Sequence, residues 1–260
     1  MSKIFPIASG SSGNCTYIGY GKQGLLIDAG VSARTITNAL MNAAIDTATI
    51  CGIFITHNHI DHIKGLRVFA DKYSIPTFAT RETIEGLKQN ACHCPKDLHI
   101  IESELEIGGF LIKAFPTSHD CPGSSGYVVT LPDETKCGVC TDLGVVSEEV
   151  RCAITGCTAL LIESNHDVTM LQKGSYPEHL KRRILSDHGH LSNILCAKEL
   201  SRLVENGTTR IILGHLSREN NDPAIAKSCA VAALMDNGFL ENDDYMIYVA
   251  PPKDGKVILF

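Results

Sequence analysis

Short apolar runs, set apart by Gly, Ser and Asn, fill the first part of the chain. Residues 3–8, 14–20 and 23–28 each read as strands on this pattern. Over residues 32–44 the apolar spacing becomes helical, with Ser32 as the capping residue. Residues 50–56 (ICGIFIT) form a short apolar run, the signature of a fully buried strand. A helix is predicted from about residue 62 to 72, followed by strand pieces across 75–114. Further strands are predicted over 124–131, 136–141, 158–163 and 210–214. Helices are predicted over 177–185, 191–206 and 222–237. The last has Asp222 as its cap, Pro223 at the first position and Gly238 at its end. Residues 245–260 supply two more strands. Strands and helices interleave twice with no linker between the halves. The expectation is one α/β domain over residues 1–260, with central sheets and helices outside.

Hydrophobic residues make up 44% of the chain and charged residues 20%, as in an ordinary globular protein. No apolar run has the length of a membrane span, and the start (MSKIFPIASG) does not read as a signal peptide. The 11 cysteines are odd in number and irregularly spaced, so they read as reduced thiols in a cytoplasm rather than a disulfide framework. With 23 basic and 29 acidic residues the net charge is −6, which excludes coating of nucleic acid by bulk charge. A local site remains open to a polyanion if bound cations reverse the sign there. Aromatics are only 6% and Trp is absent, which argues against an extended base-stacking platform.

The densest chemistry lies at residues 56–62 (THNHIDH), directly after the buried strand. His57 and His59 are two apart, so in extended backbone their imidazoles point the same way and can grip one ion. Asp61 and His62 fall where the chain turns into a helix and suit a second ion. Three lone candidates end other strands: His119 in FPTSHD, Asp142 in CTDLG and His215 in ILGHL. Strand ends in α/β sheets are where ligands collect. Imidazole with carboxylate, and no obvious thiolate, fits Zn²⁺ or Mn²⁺, with Fe²⁺ possible. Seven ligands suit two divalent ions with Asp142 able to bridge them; such a pair holds a hydroxide for attack.

This H-x-H-x-D-H stretch, with His119, Asp142 and His215 and the mixed element order, resembles the metallo-β-lactamase fold over nearly the whole chain. The resemblance implies an αβ/βα sandwich of two mixed sheets with the metals at one edge. It implies one metal on His57, His59 and His119, a second on Asp61, His62 and His215, and Asp142 between them. Residues 9–15 (SGSSGNC), 28–30 (DAG), 163–167 (ESNHD), 189–193 (GHLSN) and 214–221 (GHLSRENN) are similar to the bacterial YycJ/WalJ group. That likeness implies a metal-dependent nuclease acting 5′ to 3′ on double-stranded DNA, with hydroxide attacking phosphorus.

Asp61 and His190 are then the catalytic candidates. His190 lies near a helix start, where anions bind, and is expected to contact the scissile phosphate or protonate the leaving oxygen. Ser11, Ser12, Asn14, His190, Ser192 and Asn193 are the substrate-binding candidates; the Ser/Gly loop is equally readable as a plain turn. Asp28 is expected to orient a metal ligand from behind or to close a turn. Lys181, Arg182 and Arg183 form a small basic patch that reads first as a solvated helix face. Cys137 and Cys140 match C-x-x-C but lie three apart in a strand, so they face opposite sides and cannot share one ion. Cys92, Cys94, His93 and His99 make a weaker metal candidate. The competing readings are a small-phosphodiester or acyl/thioester hydrolase of the same fold, and a di-iron redox protein, against which His59 stands where a Glu is expected. DNA is the implied partner, with no membrane and no protein partner inferable.

Overall fold

The computed structural model describes residues 1–260. Two seven-stranded sheets face each other. The first is built from β1 (Ser2–Ala8), β2 (Cys15–Tyr20), β3 (Gln23–Ile27), β4 (Ile50–Phe54), β5 (Thr77–Ala79) and β6 (Leu98–Ile100). The second is built from β7 (Glu104–Ile107), β8 (Phe110–Pro116), β9 (Ser125–Thr130), β10 (Lys136–Cys140), β11 (Ala159–Glu163), β12 (Arg210–Gly214) and β13 (Met246–Val249). The last strand, β14 (Ile258–Leu259), returns to pair antiparallel with β1 and completes the first sheet. Both sheets are mixed: β3–β4–β5–β6 and β10–β11–β12–β13 are parallel, and the hairpin strands are antiparallel.

Helices α1 (Ala33–Asn42), α2 (Ile60–Ile63), α3 (Leu66–Tyr73) and α4 (Arg81–Gln89) belong to the first half. Helices α5 (Glu148–Ile154), α6 (Val168–Lys173), α7 (Glu178–Ile184), α8 (Asn193–Glu205) and α9 (Pro223–Asp236) belong to the second. Three apolar cores define the layers. One lies between the sheets; one joins the first sheet to α1, α3 and α4; one joins the second sheet to α5, α8 and α9. On β12, Ile211 and Leu213 enter the helix-side core while Ile212 enters the inter-sheet core. A strand covered on both faces must be apolar at successive positions, which is why this one reads as a continuous hydrophobic run. The αβ/βα sandwich is the expected fold. No helix is long and apolar enough to cross a membrane.

Local departures have local causes. The helix predicted over 62–72 is broken into α2 and α3 at Gly65, where a Cβ would stand 2.0 Å from the Val31 carbonyl oxygen. The strand pieces predicted over 75–114 contain helix α4, which buries Thr83, Ile84 and Leu87 on one face. That three- and four-residue spacing is helical, but it is embedded among short strands and easily overlooked. Helices α5 and α6 were not anticipated; both are short and capped by side chains, Ser147 and Asp167. Cys137 and Cys140 point into different cores, as their spacing requires. All eleven cysteines are free.

Candidate metal centre

The ends of β4, β8, β10, β11 and β12 converge, and each delivers a polar residue. Beyond β4 the chain runs as THNHIDH into α2, which places His57 and His59 before the turn and Asp61 and His62 within it. This loop is held by backbone contacts with its neighbours. Asn14 N–H donates to Asp61 C=O at 2.7 Å, Gly30 N–H to Asn14 C=O at 2.7 Å, and Ala29 N–H to His62 C=O at 2.9 Å. Gly30 is required here, since a Cβ would stand 1.6 Å from the Asp61 carbonyl oxygen.

Ligand-type atoms gather in overlapping groups: His57 with His59 and His119; Asp61 with His62 and His215; His57 with His62 and Asp142. His119 Nε2 lies 3.4 Å from His59 Nδ1 and 3.9 Å from Asp142 Oδ1. His62 Nε2 lies 3.3 Å from Asp142 Oδ2 and 3.7 Å from Asp61 Oδ2, and His215 Nε2 is also 3.7 Å from Asp61 Oδ2. Two ligands on one tetrahedral ion, each at roughly 2.0–2.1 Å, stand about 3.3–3.4 Å apart. The spacings therefore suit shared cations better than mutual hydrogen bonds. His57 Nε2, Asp142 Oδ2 and His215 Nε2 are buried without any hydrogen-bond partner, as atoms reserved for a cation would be. The donor set fits a divalent metal.

The atoms behind these ligands are fully engaged. Asp28 Oδ2 accepts from His62 Nδ1 at 2.7 Å, while Thr56 donates to Asp28 through its backbone N–H at 2.9 Å and its hydroxyl at 2.9 and 3.1 Å. Glu163 Oε1 accepts from His215 Nδ1 at 2.6 Å and from His190 Nδ1 at 2.9 Å. Glu163 Oε2 takes the backbone N–H groups of Leu143 and Leu191 at 3.1 and 3.0 Å. Such partners fix the tautomer and aim the opposite ring nitrogen at the metal position. Three of these residues, Asp28, Asp142 and His215, have left-handed backbones with φ of 62°, 59° and 54°. This conformation costs on the order of 1–3 kcal/mol outside glycine and persists where the surrounding structure enforces it, commonly at functional sites.

Charges within the cluster act on one another. Burial, then the neighbouring His62 and His119, push His57 well below the ordinary imidazole range. Burial also opposes protonation of His62, but the carboxylates of Asp28 and Asp142 outweigh it and raise His62 to about 9. Burial raises Asp61, yet the neighbouring His215 and His62 hold it well below the usual carboxylate range.

The structure brings all seven expected ligands together, with Asp28 and His190 against them. Ser11 and Ser12 are exposed beside the cluster, and Arg218 donates to Ser12 Oγ at 2.7 Å. Three expected substrate residues are instead buried and spent internally. Asn14 bonds Gly10 and His62; Ser192 caps α8; Asn193 bonds Ser164 and Asn221. Ser192 and Asn193 build the loops rather than face a ligand, whereas Asn14 Nδ2 lies 3.0 Å from His62 Nε2, at the edge of the candidate metal centre. Arg183, in the basic patch, pairs with Asp120 next to His119. The Cys92, His93, Cys94 and His99 candidates form no ligand group; His99 bonds Asp97 instead. Glu163 was not foreseen as a site residue. The same rule that found Asp142 and His215 applies to it, since residues 159–163 (ALLIE) are an apolar strand ending in an acid.

Comparison with known proteins agrees with this geometry. Residues 24–216 match the beta-lactamase superfamily domain. The chain is 36% identical over 250 residues to exodeoxyribonuclease YycJ of Bacillus anthracis, covering 95% of this chain and 94% of that one. It is 37% identical over 252 residues to exodeoxyribonuclease WalJ of Streptococcus pneumoniae, covering 95% and 93%. Among solved structures, Zn²⁺-bound PqqB from Methylobacterium extorquens superposes with a TM-score of 0.74 over 99% of this chain and all of that one, at 15% identity, a likeness of fold alone. With a superfamily match over most of its length and close relatives along nearly all of it, this chain belongs to the β-lactamase superfamily, in the YycJ/WalJ group, and is a metal-dependent hydrolase.

Proposed function

We propose that the protein is a cytoplasmic two-metal phosphodiesterase that removes nucleotides from DNA, acting 5′ to 3′ on double strands. The carrying observation is the pair of adjoining ligand sets that meet at Asp142, in a chain whose relatives over its whole length are named exodeoxyribonucleases. His57, His59 and His119 would hold one divalent ion and Asp61, His62 and His215 the other, with Asp142 shared. Zn²⁺ or Mn²⁺ suits these ligands, with Fe²⁺ also compatible.

When bound, such a pair acidifies water and neutralises charge building on a phosphoryl group. The chain's own residues do the rest. Asp61 is the most exposed of the four acids, 21% against 3% or less, and orients the attacking water. His190, partly exposed and held by Glu163, delivers a proton to the leaving oxygen. Ser11 and Ser12 bind a phosphate beside the cluster.

The test is digestion of duplex DNA labelled at the 5′ or 3′ end, single-stranded DNA and RNA, with Mn²⁺, Zn²⁺ or chelator. Metal-dependent release of 5′ nucleotides from the duplex, lost in His59→Ala and Asp61→Ala, is expected. If protein holding two metals cleaves no polymer, the substrate is instead a small phosphodiester or an acyl compound.

A further inference from the structure

A cavity of about 540 Å³ opens beside the metal centre, between the loop after β12 and the segment after β13. Ser9, at its floor, joins it to the centre: Ser9 Oγ accepts from the backbone N–H of the ligand His215 at 2.8 Å, and Ser9 N–H donates to Pro251 C=O at 3.1 Å. Its walls are largely apolar, from Leu216 on one side and Val249, Pro251 and Pro252 on the other. Arg218 and Asp222 are the charged residues of the lining: the Arg218 guanidinium reaches across to Ser12 Oγ at 2.7 Å, while Asp222 Oδ1 is turned to the start of α9, where it accepts from Ala224 N–H at 2.8 Å. Arg218 has no acid partner, whereas Arg183, near the opposite ligand His119, is paired with Asp120. A second cavity, about 340 Å³ between β8 and α4, is bordered by Glu82 and by Glu102, which pairs with Arg81, and carries no unpaired cation for a phosphate.

We infer that the cavity beside Arg218 receives the terminal nucleotide of the DNA chain. This rests on the nuclease reading above. The volume lies within the range of small-molecule sites, roughly 300–1,000 Å³. Flat proline and aliphatic walls suit the faces of a base without distinguishing its identity, and the unpaired guanidinium suits a phosphate. The position also follows a general rule, since β12 and β13 are adjacent parallel strands and ligands collect beyond their carboxyl ends. A pocket for one nucleotide next to the cleavage site favours chain ends over internal bonds.

The experiment compares a deoxynucleoside 5′-monophosphate, dTMP, with inorganic phosphate, both added to the metal-loaded protein. Both offer a phosphate, so any advantage of dTMP reports the cavity. In ¹⁵N–¹H spectra of the Zn²⁺ form, the amides of Ser9 and Ser217 should move with dTMP and stay put with phosphate. As inhibitors of bis(p-nitrophenyl) phosphate hydrolysis, dTMP should act at least ten times more tightly than phosphate. That advantage should fall below threefold in the cavity-filling Ser217→Trp, whereas Arg218→Ala should weaken both inhibitors and Arg218→Lys should largely restore them. Thermal unfolding confirms that each variant is folded. For Arg218→Ala, kcat/KM on linear DNA should drop at least tenfold relative to the small diester. Amide shifts alike for dTMP and phosphate, or equal inhibition by the two, overturn the inference. Wild-type protein that cleaves no DNA overturns only the nuclease reading, and the spectra then decide the cavity on their own.

Discussion

Glu163 and His190 stand 2.9 Å apart through Oε1 and Nδ1, and the same carboxylate oxygen holds His215 at 2.6 Å. One buried acid thus aims both a metal ligand and the proton-donor candidate. His190→Ala should leave metal content intact and lower turnover by about 10²–10⁴-fold, the usual scale of general acid–base catalysis. Glu163→Gln should cost roughly 10–100-fold, typical for a group that orients a ligand. Because Glu163 also holds His215, the double variant should fall below His190→Ala alone, but by less than the sum of the two single effects. Full additivity in turnover measurements would show that the two act separately.

Asp28 touches only His62 of the seven candidate ligands. Asp28→Asn keeps a residue that tolerates the left-handed backbone but weakens the grip on His62 Nδ1. Occupancy of the Asp61, His62 and His215 set should therefore fall, with affinity down about 10–100-fold, while the His57, His59 and His119 set keeps its ion. Competition with a graded chelator, read as metal per chain, checks this. Equal loss from both sets would contradict it.

Chelation should destabilise the fold as well as silence it. Stripping the cation leaves His57 Nε2, Asp142 Oδ2 and His215 Nε2 buried and unpartnered. A cation at a hundred times its Kd contributes about 2.7 kcal/mol, or roughly 5–10 °C in Tm for a chain of this size. Calorimetry with chelator, then with Zn²⁺ or Mn²⁺ restored, should show the loss and its recovery. An unchanged Tm would mean that the cluster holds no ion tightly.

His166 gives the fold a pH dependence apart from the ligands. It is buried, both ring nitrogens lack partners, and burial lowers it from 6.5 to about 4. Between those values the unfolded chain takes up a proton that the folded chain refuses. Stability should fall as pH drops through this window, by about 3 kcal/mol in all from this group. In urea unfolding, His166→Phe should lose correspondingly less between pH 7 and pH 4. Parallel pH profiles for variant and wild type would assign the acid sensitivity elsewhere.

The sequence by itself determined the layers and named all seven residues that the structure gathers at the candidate metal centre. Strands buried on both faces, such as β4 and β12, leave apolar runs that read directly. A polar residue at the end of such a run, as with His57, Asp142 or His215, is a local feature needing no knowledge of contacts. Two imidazoles two positions apart in extended backbone must share a direction, so His57 and His59 could be paired on spacing alone.

Only the tertiary structure decided which polar residues face a ligand and which face the protein. Asn14, Ser192 and Asn193 lie in Gly- and Ser-containing segments like Ser11 and Ser12, yet the first three are buried, Asn14 against His62, Ser192 at the start of α8 and Asn193 against Ser164 and Asn221, while the last two are exposed. The role of Glu163 rests on His190 and His215, which are 27 and 52 residues away. The cavity beside Arg218 is lined by Ser9, Ser217 and Pro251, which only the fold brings together. Spacing along a chain fixes direction over a few residues. It carries no information on long-range packing, and hydrogen-bond partners and cavities are set there.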